Sequence, residues 1–115
     1  MRFGVDWLSN GRSCVPILVF AQGADATTTL YGLTKPGVVE LNPLAAAAMS
    51  SLGRPIGLFV LTVLTLGLVI ACTETMTRYF SGRIDAATLR YIGYGPHIVI
   101  ATLVVFNNLI VIVHA

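Results

Sequence analysis

Asp25 stands in an otherwise apolar stretch, and it is the first residue whose chemistry needs an explanation. On a helix of 100° per residue, Gln22, Asp25 and Thr29 lie within about 60° of one another and form one polar stripe. A lone carboxylate in the middle of a membrane segment costs at least ~2.5–3.5 kcal/mol on insertion scales. It must therefore face protein or water, carry a proton, or be paired. Two other apolar stretches offer uncharged partners. In one, His97 and Asn108 are eleven residues apart and share a face, with Asn107 beside Asn108. In the other, Thr62, Thr65 and Thr73 share a face. Packed together, these stripes would form a seam of carboxyl, amide and hydroxyl groups. Such a seam either bonds helices to one another, at ~0.6 kcal/mol per contact and up to roughly 2, or handles a proton or hard cation through its oxygens.

Glu40-Leu41-Asn42-Pro43 is a second constellation. Asn is a good N-cap and Pro suits the first helical position, so a helix is expected to begin at Pro43. The positive end of that helix would stabilise the Glu40 carboxylate. Glu40 and Asn42 either cap the helix at a membrane surface or face inward toward the end of the Asp25 helix. Glu74 precedes Arg78 by four residues, the favourable order for a surface ion pair. His97 is the one plausible base in the apolar region and has no evident partner, so an interfacial hydrogen-bonding role is expected of it. There is no nucleophile motif, no metal-ligand spacing and no signature of a cofactor; catalysis is not expected. Cys14 and Cys72 sit in apolar stretches and read as small buried hydrophobes, with a pairing between them left open.

These groups need elements to hold them. The chain has 115 residues, enough for one domain. Hydrophobic residues make up 56% and charged residues 10%, against about 25% charged in a soluble domain. The net charge of +2, with no basic run, argues against nucleic acid and against a polybasic lipid patch. The expected fold is all-α, an integral membrane helical bundle. Three spans are predicted, at about 14–33, 56–75 and 96–114, each near the ~20 residues that cross the hydrocarbon. The first also imitates a signal peptide: Arg2 and Arg12, the apolar run 15–21, then Ala24-Asp25-Ala26. The membrane helix is the favoured reading.

Between the first two spans, Thr34-Lys35-Pro36-Gly37 is turn chemistry. A short helix is expected at 43–52, ended by Gly53 and Pro55 and lying in the interface or re-entering the membrane. A second short helix, capped by Asp85 over 86–92, is expected to precede the third span, with a break or kink at Gly93-Tyr94-Gly95-Pro96. Arg2, Arg12, Arg78, Arg83 and Arg90 fall on one side of this arrangement and Lys35 and Arg54 on the other. That places the N-terminus in the cytoplasm and the C-terminus outside a cell membrane. Trp7, Tyr79, Phe80, Tyr91 and Tyr94 suit an aromatic belt on the cytoplasmic side.

Through Asp25-Ala26-Thr27-Thr28-Thr29 and Glu40-Leu41-Asn42-Pro43-Leu44, residues 15–50 resemble a family of small multi-helix prokaryotic membrane proteins of unknown function, and also look like haloarchaeal membrane proteins. The resemblance implies that Asp25, Thr28 or Thr29, Glu40, Asn42 and Pro43 belong to one site or one structural lock. It brings no activity with it.

Two functions are weighed. One is a structural or accessory subunit that packs on itself or on another membrane protein, using Gly23, Ala24, Gly32, Ala45, Ala46, Ala47, Ala48, Gly57 and Gly67 for close approach. The other is an oligomeric proton or cation channel or transporter component built on Asp25 and Glu40. The expected partners are the lipid bilayer and further copies or a larger membrane complex. Convergence of Asp25 with Glu40, Asn42, His97 and Asn108 within hydrogen-bond reach, with water access, would favour the second; a dry Asp25 bonded only to its helical neighbours would favour the first.

Overall fold

The computed structural model describes residues 11–115. Arg2 and Trp7, counted above toward the orientation and the aromatic belt, lie outside the described residues. Those residues fold into four helices and no strand: α1 (Cys14–Gly32), α2 (Pro43–Leu52), α3 (Arg54–Phe80) and α4 (Ala86–His114).

α1 is the 14–33 segment foreseen from the sequence, and α2 begins and ends where its caps require. The Asn42 side chain accepts a hydrogen bond from the Leu44 N–H at 3.0 Å, and Pro43 occupies the first turn. Gly53, at φ 89°, makes the backbone reversal that no L side chain favours. α3 starts one residue later, with Pro55 in its first turn. Gly57 lets the two helices close: a β-carbon there would fall on the Ala48 carbonyl. Among the described residues, close approach within the chain thus depends on Gly57, while Gly32 makes ordinary contact with Ile112 and Gly23 and Gly67 have no neighbour where a β-carbon would stand.

The region 86–114 corrects the sequence expectation. No short helix breaks off at 93–96; α4 runs without interruption through Pro96. Pro96 removes one backbone donor and crowds the carbonyl four residues earlier, yet tertiary packing fixes the preceding turn. Gly93 lies directly against the Thr73 side chain, where a β-carbon would collide. Tyr94 is fully buried. Asp85 precedes the helix but makes no side-chain cap.

Glu74 pairs across helices and not with Arg78 along its own. Arg90 reaches it through Nε at 3.0 Å and Nη2 at 2.9 Å, and the Tyr94 hydroxyl donates to it at 2.8 Å. A two-pronged guanidinium–carboxylate pair with the arginine side chain only 9% exposed outcompetes a surface i,i+4 contact. Tyr94, serving Glu74 from the interior, is therefore not part of an outer aromatic belt; Tyr79 and Tyr91 are exposed. Cys14 is buried beside Leu18 and Tyr94, while Cys72 is exposed, and both are free. The buried reading thus fails for Cys72, and no pairing joins the two.

These contacts define the topology. Cys14 and Leu18 meet Tyr94, Thr28 meets Asn108, and Gly32 meets Ile112, so α1 and α4 run parallel. α3 runs antiparallel to both, its start at Leu58 packing near Leu33 and its end at Glu74 meeting Arg90. Two apolar clusters result. One holds Cys14, Leu18 and Tyr94; the other holds Leu33, Ala45, Met49 and Leu58. The polar stripe of α1 falls between them.

α3 and α4 are long and apolar enough to cross a membrane. At 27 and 29 residues they measure about 40 and 43 Å. Only 17% and 6% of their apolar stretches are buried inside the chain, so most of that surface needs cover from outside it. α1 matches a span in length, with 19 residues, but Gln22, Asp25 and three threonines keep it out of that pair.

The packing predicts a contrast between two glycines. Gly57→Ala should lower the stability of the detergent-solubilised protein by about 1–3 kcal/mol through overpacking. Gly67→Ala, with free space around it, should leave stability unchanged or raise it by up to ~1 kcal/mol. Thermal unfolding followed by circular dichroism measures both, and equal effects would contradict the α2–α3 contact.

Candidate functional site

α1 presents its polar stripe inward. The Thr29 hydroxyl, one turn after Asp25, donates to the Asp25 carboxylate oxygen Oδ1 at 3.2 Å. The Thr28 hydroxyl donates to the Ala24 carbonyl at 2.8 Å, with the Asp25 carbonyl at 3.1 Å. Both hydroxyl oxygens then accept from one group: the Asn108 side-chain amide donates to Thr28 at 2.9 Å and to Thr29 at 3.0 Å. A hydroxyl can donate once and accept twice, and an amide NH2 donates twice. Asn108 therefore holds two neighbouring threonines in fixed orientation, and one of them aims its proton at Asp25.

Glu40 arrives from the loop before α2. Its carboxylate oxygen Oε1 accepts the Asn42 N–H at 2.9 Å. The side chain also lines a cavity of about 340 Å³ together with Gln22, Asp25, Thr29, Asn42, Thr62, Thr65 and Asn108. Capping and inward facing, posed as alternatives from the sequence, occur together. The apolar wall of the cavity comes from Ala26, Ala45, Leu58, Leu61, Ile100 and Val104. Asp25 is half-buried, and Glu40 faces the same cavity. Among the described residues, no Lys, Arg, His or Cys lines this cavity.

Of the residues singled out from the sequence, Gln22, Asp25, Thr29, Glu40, Asn42 and Asn108 come together here. Thr28 and Asn107 line an adjoining cavity of about 360 Å³, which Thr29, Glu40 and Asn108 share. Pro43 stays outside both and serves the first turn of α2. Thr73 lies eight residues beyond Thr65, about 12 Å along α3, and packs against Gly93. His97 is the clear departure: it is exposed and lines neither cavity. The buried line on α4 repeats every seven residues, through Ala87, Tyr94 and Ala101, toward Asn108. A seven-residue seam sits at 3.5 residues per turn, and His97 falls on its edge.

Sequence reasoning missed the Glu74–Arg90–Tyr94 cluster. The available signal was the seven-residue spacing of Ala87, Tyr94, Ala101 and Asn108, which marks the inward face of α4 and sets Arg90 beside it.

Asn108→Ala should lose both bonds to α1 and destabilise by about 1 kcal/mol, at ~0.6 kcal/mol per contact. A double-mutant cycle of Asn108→Ala with Thr28→Ala should show a coupling of about 0.6 kcal/mol. Asn107→Ala, at an exposed side chain, should stay within ~0.5 kcal/mol of the parent. Additivity of Asn108 and Thr28 in reversible denaturant unfolding would contradict the bridge.

The chain belongs to a family described as Domain of unknown function (DUF5658), which matches residues 17–114. That span contains α2, α3, α4 and nearly all of α1, and so the whole of the Asp25 cavity. No curated protein and no solved structure matches the chain at a significant level.

Proposed function

We propose that this DUF5658 protein is a multi-pass membrane protein that handles a proton or a small hard cation at the Asp25–Glu40 cavity, as a channel or carrier component. The observation that carries the reading is the meeting of two carboxyl groups from different segments in one cavity with amide and hydroxyl oxygens. An oxygen-only donor set suits a proton or a hard cation. Asp25, with no basic side chain among the described residues that line its cavity, calls for a compensating positive charge in a low-dielectric setting, and an exchangeable one is what a transport site supplies.

The reading takes α1, α3 and α4 as three spans, with α2 as a re-entrant or interfacial helix closing one mouth of the cavity. The parallel α1 and α4 with antiparallel α3 fit alternating passes. By the basic-residue count, the N-terminus faces the cytoplasm of a prokaryotic cell and the Glu40 loop faces outward. The segments 25–29 and 40–43 would then form the common site of the family.

The structural or accessory-subunit role remains the second reading. Its supporting observation is the large unburied apolar surface of α3 and α4, which a neighbouring protein could cover as well as lipid.

Liposomes loaded with a pH-sensitive dye separate the two. Under an imposed proton or sodium gradient, the parent protein should collapse the gradient. Asp25→Asn should slow this at least about tenfold, since its amide can neither release a proton nor balance a cation, while helix content stays unchanged. No flux from the parent, or equal flux from Asp25→Asn, would remove the transport reading. A co-purifying membrane partner in either case would favour the accessory role.

A further inference from the structure

On the opposite face of α1 from the bridge to α4 lies a second recess of different character. Between α1 and α3 runs an apolar groove of about 620 Å³, walled chiefly by Val19, Gly23 and Leu30 on one side and Ile56, Phe59 and Val63 on the other. Thr27 also lines it, but its hydroxyl is turned to the Gly23 carbonyl at 2.8 Å. A β-carbon added at Gly23 would meet nothing within 4 Å among the described residues, so this glycine leaves space that none of them fills. Among the described residues, no acid borders the groove itself.

Just beyond one end of the groove stands a cation, Arg54, which lines a neighbouring recess that Glu40 also borders. Pro55 and Ile56 line the groove on α3, and Arg54 is the residue before them. Leu30 lines it on α1, and three residues later the Leu33 carbonyl accepts a hydrogen bond from Arg54 Nη1 at 3.1 Å. That bond uses one of the five donors of the guanidinium, and the Arg54 residue is exposed. The positive end of the α3 dipole adds to the same spot. In the three-span arrangement this end lies at the membrane surface.

We propose that the groove holds one acyl chain of an anionic phospholipid, with the lipid phosphate bound by Arg54. The volume lies within the range of small-ligand sites, the walls match a hydrocarbon chain, and a planar guanidinium is suited to phosphate. A helix from a second copy would fill the apolar walls but would bring no phosphate to Arg54. The groove adjoins the wall of the Asp25 cavity at Ala26, Leu58 and Thr62, and its placement at the membrane surface rests on the three-span reading above, while its occupant takes no part in the transport chemistry.

Native mass spectrometry of the full-length protein in mild detergent tests it, with phosphatidylglycerol and phosphatidylcholine of identical acyl chains as probes. The parent should retain phosphatidylglycerol in preference to phosphatidylcholine. Arg54→Gln should weaken that retention about fivefold, the change expected of one basic residue at an anionic headgroup. Arg54→Lys should keep most of it, which guards against loss of fold in Arg54→Gln. Gly23→Leu, which fills the groove without touching Arg54, should lower retention of both lipids. Equal retention of the two lipids by the parent, or unchanged phosphatidylglycerol retention in both Arg54→Gln and Gly23→Leu, would overturn the proposal. So would a Gly23→Leu protein that changes oligomeric state with lipid retention intact, because a second copy would then be the occupant.

Discussion

The Asn108 amide reaches from α4 to two adjacent hydroxyls on α1, and Thr29 passes one hydrogen on to Asp25. The rest of the bundle is arranged around the need to satisfy that carboxyl without a basic partner beside it. An acid on an apolar helix is tolerated where it meets donors or water, and the surrounding helices supply both the donors and the recess. α1 and α4 must run parallel for residues 28 and 108 to meet. α3 must return beside them, and it carries Thr62 and Thr65 to the same level. The two apolar clusters lie on either side of this polar layer, so the layer fixes which rotation of each helix is allowed.

The opposite end of the molecule has its own polar anchor. Glu74, Arg90 and Tyr94 tie α3 to α4 where hydrogen bonds along α4 are weakened by Pro96. Removing either member of such a pair leaves a charge largely out of water, which costs more than the pair contributes. This explains how α4 stays a single helix through Gly93, Gly95 and Pro96. The anchor and the Asp25 layer together hold α4 at two heights and leave its outer face apolar.

Local signals in the sequence were read well because they act locally. Asn42, Pro43, Gly53 and Pro55 set the limits of α2 through backbone chemistry that needs no partner. The stripe of Gln22, Asp25 and Thr29 follows from helical geometry alone, and so does its need for a polar neighbour. What depended on long-range pairing was not legible. Glu74 had a plausible partner four residues away in Arg78, and only the folded arrangement brings Arg90, sixteen residues on, into bidentate contact. The eleven-residue spacing of His97 and Asn108 put them on one side of α4, but the buried seam is narrower than that side and leaves His97 outside. At Pro96 a strong local rule gave way to tertiary packing.

The central claim is that Asp25 faces an aqueous recess inside the bundle, neither lipid nor a dry helix contact. Cysteine accessibility tests it most directly. On a background lacking Cys14 and Cys72, single cysteines replace Asp25, Glu40 and the outward-facing Phe20, which is 78% exposed on α1. A small, membrane-impermeant cationic thiol reagent is then applied to reconstituted protein. The account predicts rapid modification of Asp25→Cys and Glu40→Cys and little of Phe20→Cys, with Asp25→Cys protected by blocking Glu40→Cys first in the double variant. An Asp25→Cys as inert as Phe20→Cys would contradict it.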